Sequence, residues 1–126
     1  MTNEQINRLV AEELGWKPYC HPADYLWSLV DRNDNLVGRH KRGGLDHDHC
    51  WAVCNLNFCE DYNAAAEMRE AIRRDDEQVR FAQCLCDLTF AGHEDIMPEY
   101  YWTLLNSTPR QQAEAFLRLR GKWREE

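Results

Sequence analysis

No apolar run in the chain approaches the ~20 residues that a membrane-spanning helix needs. The first residues, MTNEQINRLV, have neither the basic stretch nor the apolar core of a secretory signal, so the expected compartment is the cytoplasm. A surplus of positive charge is also missing. Lys and Arg number 15 against 22 Asp and Glu, a formal charge of −7 with a pI near 5.2. That balance excludes a general nucleic-acid coat or a binder of anionic membranes and leaves room only for a local basic site. There is no internal repeat, linker or low-complexity segment. The six cysteines, Cys20, Cys50, Cys54, Cys59, Cys84 and Cys86, include no CxxC pair. In a reducing compartment they are expected as free thiols or metal ligands rather than disulfides.

What is present fits a single folded domain. A chain of 126 residues with 44% hydrophobic content buries roughly two-thirds of its unfolded surface without disulfide staples. Thr2 and Gln5 form a capping box, and Ile6, Leu9, Val10 and Leu14 an apolar stripe, so the chain opens with a helix that Gly15 ends. Trp16 follows, either as a hydrophobic anchor or as a stacking plane for a flat ligand. Pro18 and Pro22 bracket an expected loop. Residues 25–31 alternate as a strand, residues 32–35 carry turn chemistry and Leu36–Val37 resume an extended run, which predicts a hairpin.

The best-formed amphipathic segment is residues 60–74, with Asp61 as N-cap and Tyr62, Ala65, Ala66, Met68 and Ile72 on one side. So small a face is expected to pack close to a sheet. Residues 78–88 read as a strand on which Cys84 and Cys86 share a face. Thr108, Pro109 and Gln111 announce a last helix with Ala113, Phe116 and Leu117 on its apolar face and Gly121 at its end. The expected architecture is α/β (α+β), a small mainly antiparallel sheet flanked by about three helices. Trp27, Trp51, Tyr100 and Trp102 exceed the needs of a core this size and point to a homo-oligomer.

Two stretches carry chemistry. Arg39, His40, Lys41 and Arg42, between Gly38 and the Gly43–Gly44 pair, read either as an anion site or as a solvated connection. In the Cys/His-rich loop at about 39–60, His47, His49, Cys50, Cys54 and Cys59 place five candidate ligands within thirteen positions. Zinc or another divalent ion is one reading. Structural zinc sites use two knuckles, however, and Cys50-x3-Cys54-x4-Cys59 has no second one. The other reading makes these cysteines small buried hydrophobes and the histidines polar loop residues.

LDHDHC followed by CN resembles the His-rich turn of HNH and endonuclease VII type nucleases, with Asp46, His47, Asp48 and His49 in the first part and Asn55 or Asn63 as the central Asn. That resemblance implies metal-dependent DNA cleavage. It breaks at Ile72, Arg73 and Arg74, where a metal-binding His is expected. Over most of the chain, INRLVAEELGWK, EDYNAAAEMREAI and STPRQQAEAFLRLRG resemble the phage ABA sandwich domain family, through Gly15–Trp16, Asp61-x-x-Ala64-Ala65 and Thr108–Pro109 before Ala113. The Cys/His-rich loop and the basic connection depart from that pattern.

The family resemblance implies an α/β sandwich and a phage accessory protein of the host cytoplasm, without cofactor. Its expected partner is a host defence protein or a nucleotide-like signalling molecule. A nucleotide needs an aromatic plane and cations but no catalytic group. Trp16 and Tyr62 supply the first, and Arg39, Lys41, Arg42 and Arg110 the second. Arg110 falls in the first turn of a helix, where free N–H groups also favour an anion.

Overall fold

The computed structural model describes residues 1–23, 25–37, 46–53, 56–72, 74–89 and 107–125. Among them are five helices and one antiparallel pair of strands, the α+β mixture that the sequence predicts: α1 (Asn3–Glu13), β1 (Lys17–Cys20), β2 (Trp27–Val30), α2 (His47–Val53), α3 (Tyr62–Glu70), α4 (Asp75–Thr89) and α5 (Pro109–Leu119). They gather into two compact units. Met1–Val10 and Asn57–Glu126 form a helical unit, and Ala11–Leu56 form a hairpin unit. No helix among the described residues is long and apolar enough to cross a membrane.

The helical unit is built around α5. The Thr108 hydroxyl accepts the Gln111 N–H (3.1 Å) and the Gln111 side chain accepts the Thr108 N–H (2.8 Å), so the predicted capping box is formed, with Pro109 just inside it. Pro109, Gln112, Ala113, Ala115, Phe116, Leu117 and Leu119 are all buried, a wider apolar surface than one stripe. Both α3 and α4 pack on this helix. Its end is closed by Gly121 at φ 69°. There the Lys122 N–H reaches the Leu117 carbonyl (2.8 Å) and the Gly121 N–H the Arg118 carbonyl (3.1 Å), satisfying two otherwise orphaned acceptors.

Asp61 caps α3 by accepting the Asn63 N–H at 2.8 Å, as expected. The helix stops at Ala71, short of the predicted end, and buries Ala65 and Met68. Its packing partner is α5, not a sheet.

Residues 78–88 are not a strand. They lie in α4, and the reason is legible in their spacing. Phe81 and Leu85 stand four apart and are both fully buried, with Leu88 three further on, a helical period. Gln, Arg, Ala, Asp and Leu outnumber the single β-branched Val79, so local propensity agrees. Cys84 and Cys86 therefore sit about 200° apart around the helix, and each is only partly buried.

In the hairpin unit, the end of α1 is fixed by Gly15 at φ 87°, with the Gly15 N–H on the Glu12 carbonyl (3.0 Å) and the Trp16 N–H on the Ala11 carbonyl (2.9 Å). β2 does occur inside the predicted strand, and Asp31 organises the predicted turn by accepting the N–H groups of Asn33 (2.8 Å) and Asn35 (3.0 Å). Leu36, however, makes only an isolated bridge with Val30. The main partner of β2 is β1, from the stretch expected as a loop, in the register Lys17 to Val30 and Cys20 to Trp27.

Proline did not prevent this pairing because of where it falls. Pro18 stands opposite Leu29, whose carbonyl accepts the Val37 N–H (3.2 Å) and so points away from β1. The missing N–H of Pro18 then faces outward, at a position where no ladder bond is needed. α2 packs on both strands, burying Cys50 against Leu29 with Trp27, Val37, Trp51 and Leu56 around them. Residues 47–53, read from the sequence as loop, are helical because Asp46 caps them. Its carboxylate accepts the His49 N–H at 2.7 Å and its carbonyl the Cys50 N–H at 2.9 Å.

Candidate functional site

The residues that sequence reasoning proposed for one ligand divide between the two units. Trp16 belongs to the hairpin unit, half-buried at the end of α1, while Tyr62 and Arg110 belong to the helical unit. Arg39, Lys41 and Arg42 lie outside the described residues. The geometry that can be followed from atom to atom is therefore that of Tyr62 and Arg110, at the start of α5.

Tyr62 is the first residue of α3, and Asp61 caps that helix from the position before it. Its ring is 57% exposed although its hydroxyl donates to the Ser107 carbonyl at 3.2 Å. The hydrogen bond holds the far end of the ring, so an aromatic face is offered to solvent in one orientation. Beneath it runs a chain of polar groups: Gln112 Nε2 donates to Ser107 Oγ at 3.0 Å, and Arg69 Nη1 donates to Gln112 Oε1. Ser107 and Gln112 are each 1% exposed, so both ends of the Gln112 amide are satisfied inside the fold.

Arg110 stands in the first turn of α5, and its guanidinium turns to the start of α1. Nη1 donates to Asn3 Oδ1 and Nη2 to the Met1 carbonyl at 2.8 Å. Asn3 in turn donates from Nδ2 to Glu60 Oε1 at 3.4 Å, and its carbonyl accepts from Cys59 Sγ at 3.8 Å. The Cys59 N–H is taken by Asn7 Oδ1 at 3.1 Å. Burial pushes the Cys59 thiol up to about 11, the positive charge of Arg110 opposing the shift and Glu60 adding to it. A thiol so placed stays protonated at neutral pH and is not an activated nucleophile.

The proposed metal ligands divide as well. His47, His49 and Cys50 lie on α2 in the hairpin unit, Cys59 lies in the helical unit, and Cys54 falls outside the described residues. His47 is exposed, with Nδ1 3.3 Å from Asp48 Oδ1 and its ring edge-on to Trp27 at 6.1 Å between centroids. Cys50 is fully buried. Among the described residues no three His, Cys, Asp or Glu side chains are grouped to hold a metal ion.

Sequence reasoning missed Arg69, Ser107 and Gln112. The spacing from Tyr62 to Arg69, seven residues, is a same-face signal that was available. The burial of Ser107 and Gln112 was not, because polar residues beside a capping box read as exposed. Comparison of the chain with protein-family models, with curated proteins and with solved structures gave no match in any of the three.

Proposed function

We propose that this protein is a non-enzymatic accessory factor of phage type that counters host defence by binding, and that it sequesters a nucleotide-type immune signal in the host cytoplasm. The observation that carries the reading is the Tyr62 ring, exposed and held by its hydroxyl next to the arginine-bearing start of α5. A base needs such a plane and a phosphate needs a cation near it, and neither requires a catalytic group. The phage origin rests on the resemblance in Gly15–Trp16, Asp61-x-x-Ala64-Ala65 and Thr108–Pro109.

Calorimetric titration of the full chain with adenosine diphosphate and cyclic di-AMP tests this. Binding that is lost in Tyr62→Ala and kept in Tyr62→Phe supports it, since the ring does the stacking. Equal binding by wild type and Tyr62→Ala removes the site. If neither nucleotide binds, a host defence protein is the partner to seek, and the acidic surface then predicts a complex that weakens with added salt.

A second reading concerns the hairpin unit. There His47, His49 and Cys50 of α2 belong to the same unit as Cys20 of β1 and the following His21, although among the described residues no three such side chains are grouped to hold a metal ion. The reading is a bound zinc or other divalent ion, in a binding module or in a nuclease of the HNH or endonuclease VII kind, and it rests on the resemblance in LDHDHC. Metal-dependent DNA cleavage that disappears in His47→Ala or His49→Ala supports that reading. No cleavage with magnesium or manganese, together with a metal-free preparation, excludes it.

A further inference from the structure

Arg69 lies seven residues after Tyr62 in α3, so the two share one face of that helix, about 10 Å apart along its axis. Both reach the segment that starts α5, Tyr62 through the Ser107 carbonyl and Arg69 through Gln112 Oε1. Gln112 cannot turn its amide without losing the bond from its Nε2 to Ser107 Oγ in a buried setting, so it presents a fixed acceptor to the guanidinium.

Four other arginines of this unit have partners that can be named. Arg74 faces Asp76, Arg118 faces Glu114 and Glu125, and Arg120 faces Glu77. Arg110 turns two of its nitrogens to the start of α1. Arg69 is aimed by a neutral amide instead. A neutral amide does not cancel the charge of the guanidinium it orients, and the planar fork of a guanidinium suits phosphate oxygens.

We propose that Arg69, oriented by Gln112, binds the phosphate of a nucleotide whose base stacks on Tyr62. This rests on the nucleotide reading given above and deepens it by placing the phosphate contact on α3. The ligand it specifies has a base at one end and an anionic group at the other, separated by a span of the order of a nucleoside with its phosphates. Gln112 and Ser107 are positioning residues that never touch the ligand.

The test titrates the full-length wild type, Arg69→Ala, Arg69→Lys and Gln112→Met with adenosine diphosphate, cyclic di-AMP and adenosine, with thermal melts recorded alongside. Arg69→Ala should weaken at least one nucleotide tenfold or more and leave adenosine within twofold, with Arg69→Lys in between. Gln112→Met should follow the same pattern, weakening the nucleotide and not the nucleoside, which general loosening of the fold would not do. Where Gln112→Met melts early, the partly exposed Arg69 decides alone. If wild type binds a nucleotide and Arg69→Ala binds it as tightly, this assignment fails and the nucleotide reading stands. If wild type binds neither nucleotide, both fall together.

Discussion

Arg110 shows how one side chain can be read two ways and what separates them. As a surface cation in the first turn of a helix it would slightly oppose the helix dipole, and its removal would cost almost nothing. The structure gives it two partners on the chain's first residues, Asn3 Oδ1 and the Met1 carbonyl. Arg110→Ala is therefore expected to destabilise the protein by about 1–2 kcal/mol, as a loss of two charge-assisted hydrogen bonds at a partly buried site. Chemical denaturation measures it, and a change below experimental error would show that these bonds do not persist in solution.

Cys59 yields a pH dependence. Its thiol titrates near 9.0 when unfolded and about 11 when folded, so the folded chain holds more protons between those values. The stability that this neutral buried thiol contributes is complete below pH 9 and falls away as pH rises toward 11, by up to about 2–3 kcal/mol. Cys59→Ser or Cys59→Ala should flatten that part of the stability profile. Alkylation at neutral pH should label Cys20 and Cys86, which are partly exposed, well before the buried Cys50 and Cys59, and peptide mapping distinguishes them.

At the scale of the element, helix ends were the most legible part of the chain. Thr2 with Gln5, Asp61, and Thr108 with Gln111 were identified from residue type and spacing alone, and each makes the capping bonds it implies. Gly15 and Gly121 likewise take the positive φ that a helix stop asks for. Such signals depend on three or four neighbouring residues and need no tertiary context. β1 does need it, and α4 needs a longer window of sequence. The triplet Cys84-Leu85-Cys86 alternates like a strand, and only the pairing of Phe81 with Leu85 over a longer window reveals the helix. β1 carries a proline that is tolerated because its partner strand lies on the other side, which sequence does not specify.

Two tests belong here. Thr108→Ala should cost about 1 kcal/mol, and Gly15→Ala a similar amount or more, because it forces a left-handed backbone and a Cβ that would collide with the Arg32 side chain. In the turn after β2, the Asp31 carboxyl is held below its ordinary range by the N–H groups of Asn35 and Asn33, against a smaller opposing effect of desolvation. Its contribution is present above the unfolded pKa and lost as pH falls through the folded value. Asp31→Ala should therefore remove acid sensitivity from the hairpin's amide exchange.

At the scale of the molecule, the α+β class was legible because both periodicities occur, yet the assembly of a site was not. The ligand residues inferred together from sequence are shared between the helical unit and the hairpin unit, since chemistry-bearing types were collected without knowledge of which segments meet. Tyr62 and Arg110 came from such collecting, Arg69 was within reach through its seven-residue spacing from Tyr62, and the roles of Gln112 and Ser107 emerge only when α3 is laid on α5. The charge of −7 sets the partner problem for the whole surface: an anionic ligand has to be met by particular, well-oriented arginines against a repelling background.

The claim that the protein captures a nucleotide-type signal is tested most directly by native mass spectrometry of the full chain isolated from the cells in which it acts, before and after denaturation. The account predicts a non-covalent adduct with the mass of a nucleotide, released on denaturation and missing from Tyr62→Ala and Arg69→Ala. A bare chain, or one whose only extra mass is a divalent metal ion, would contradict it.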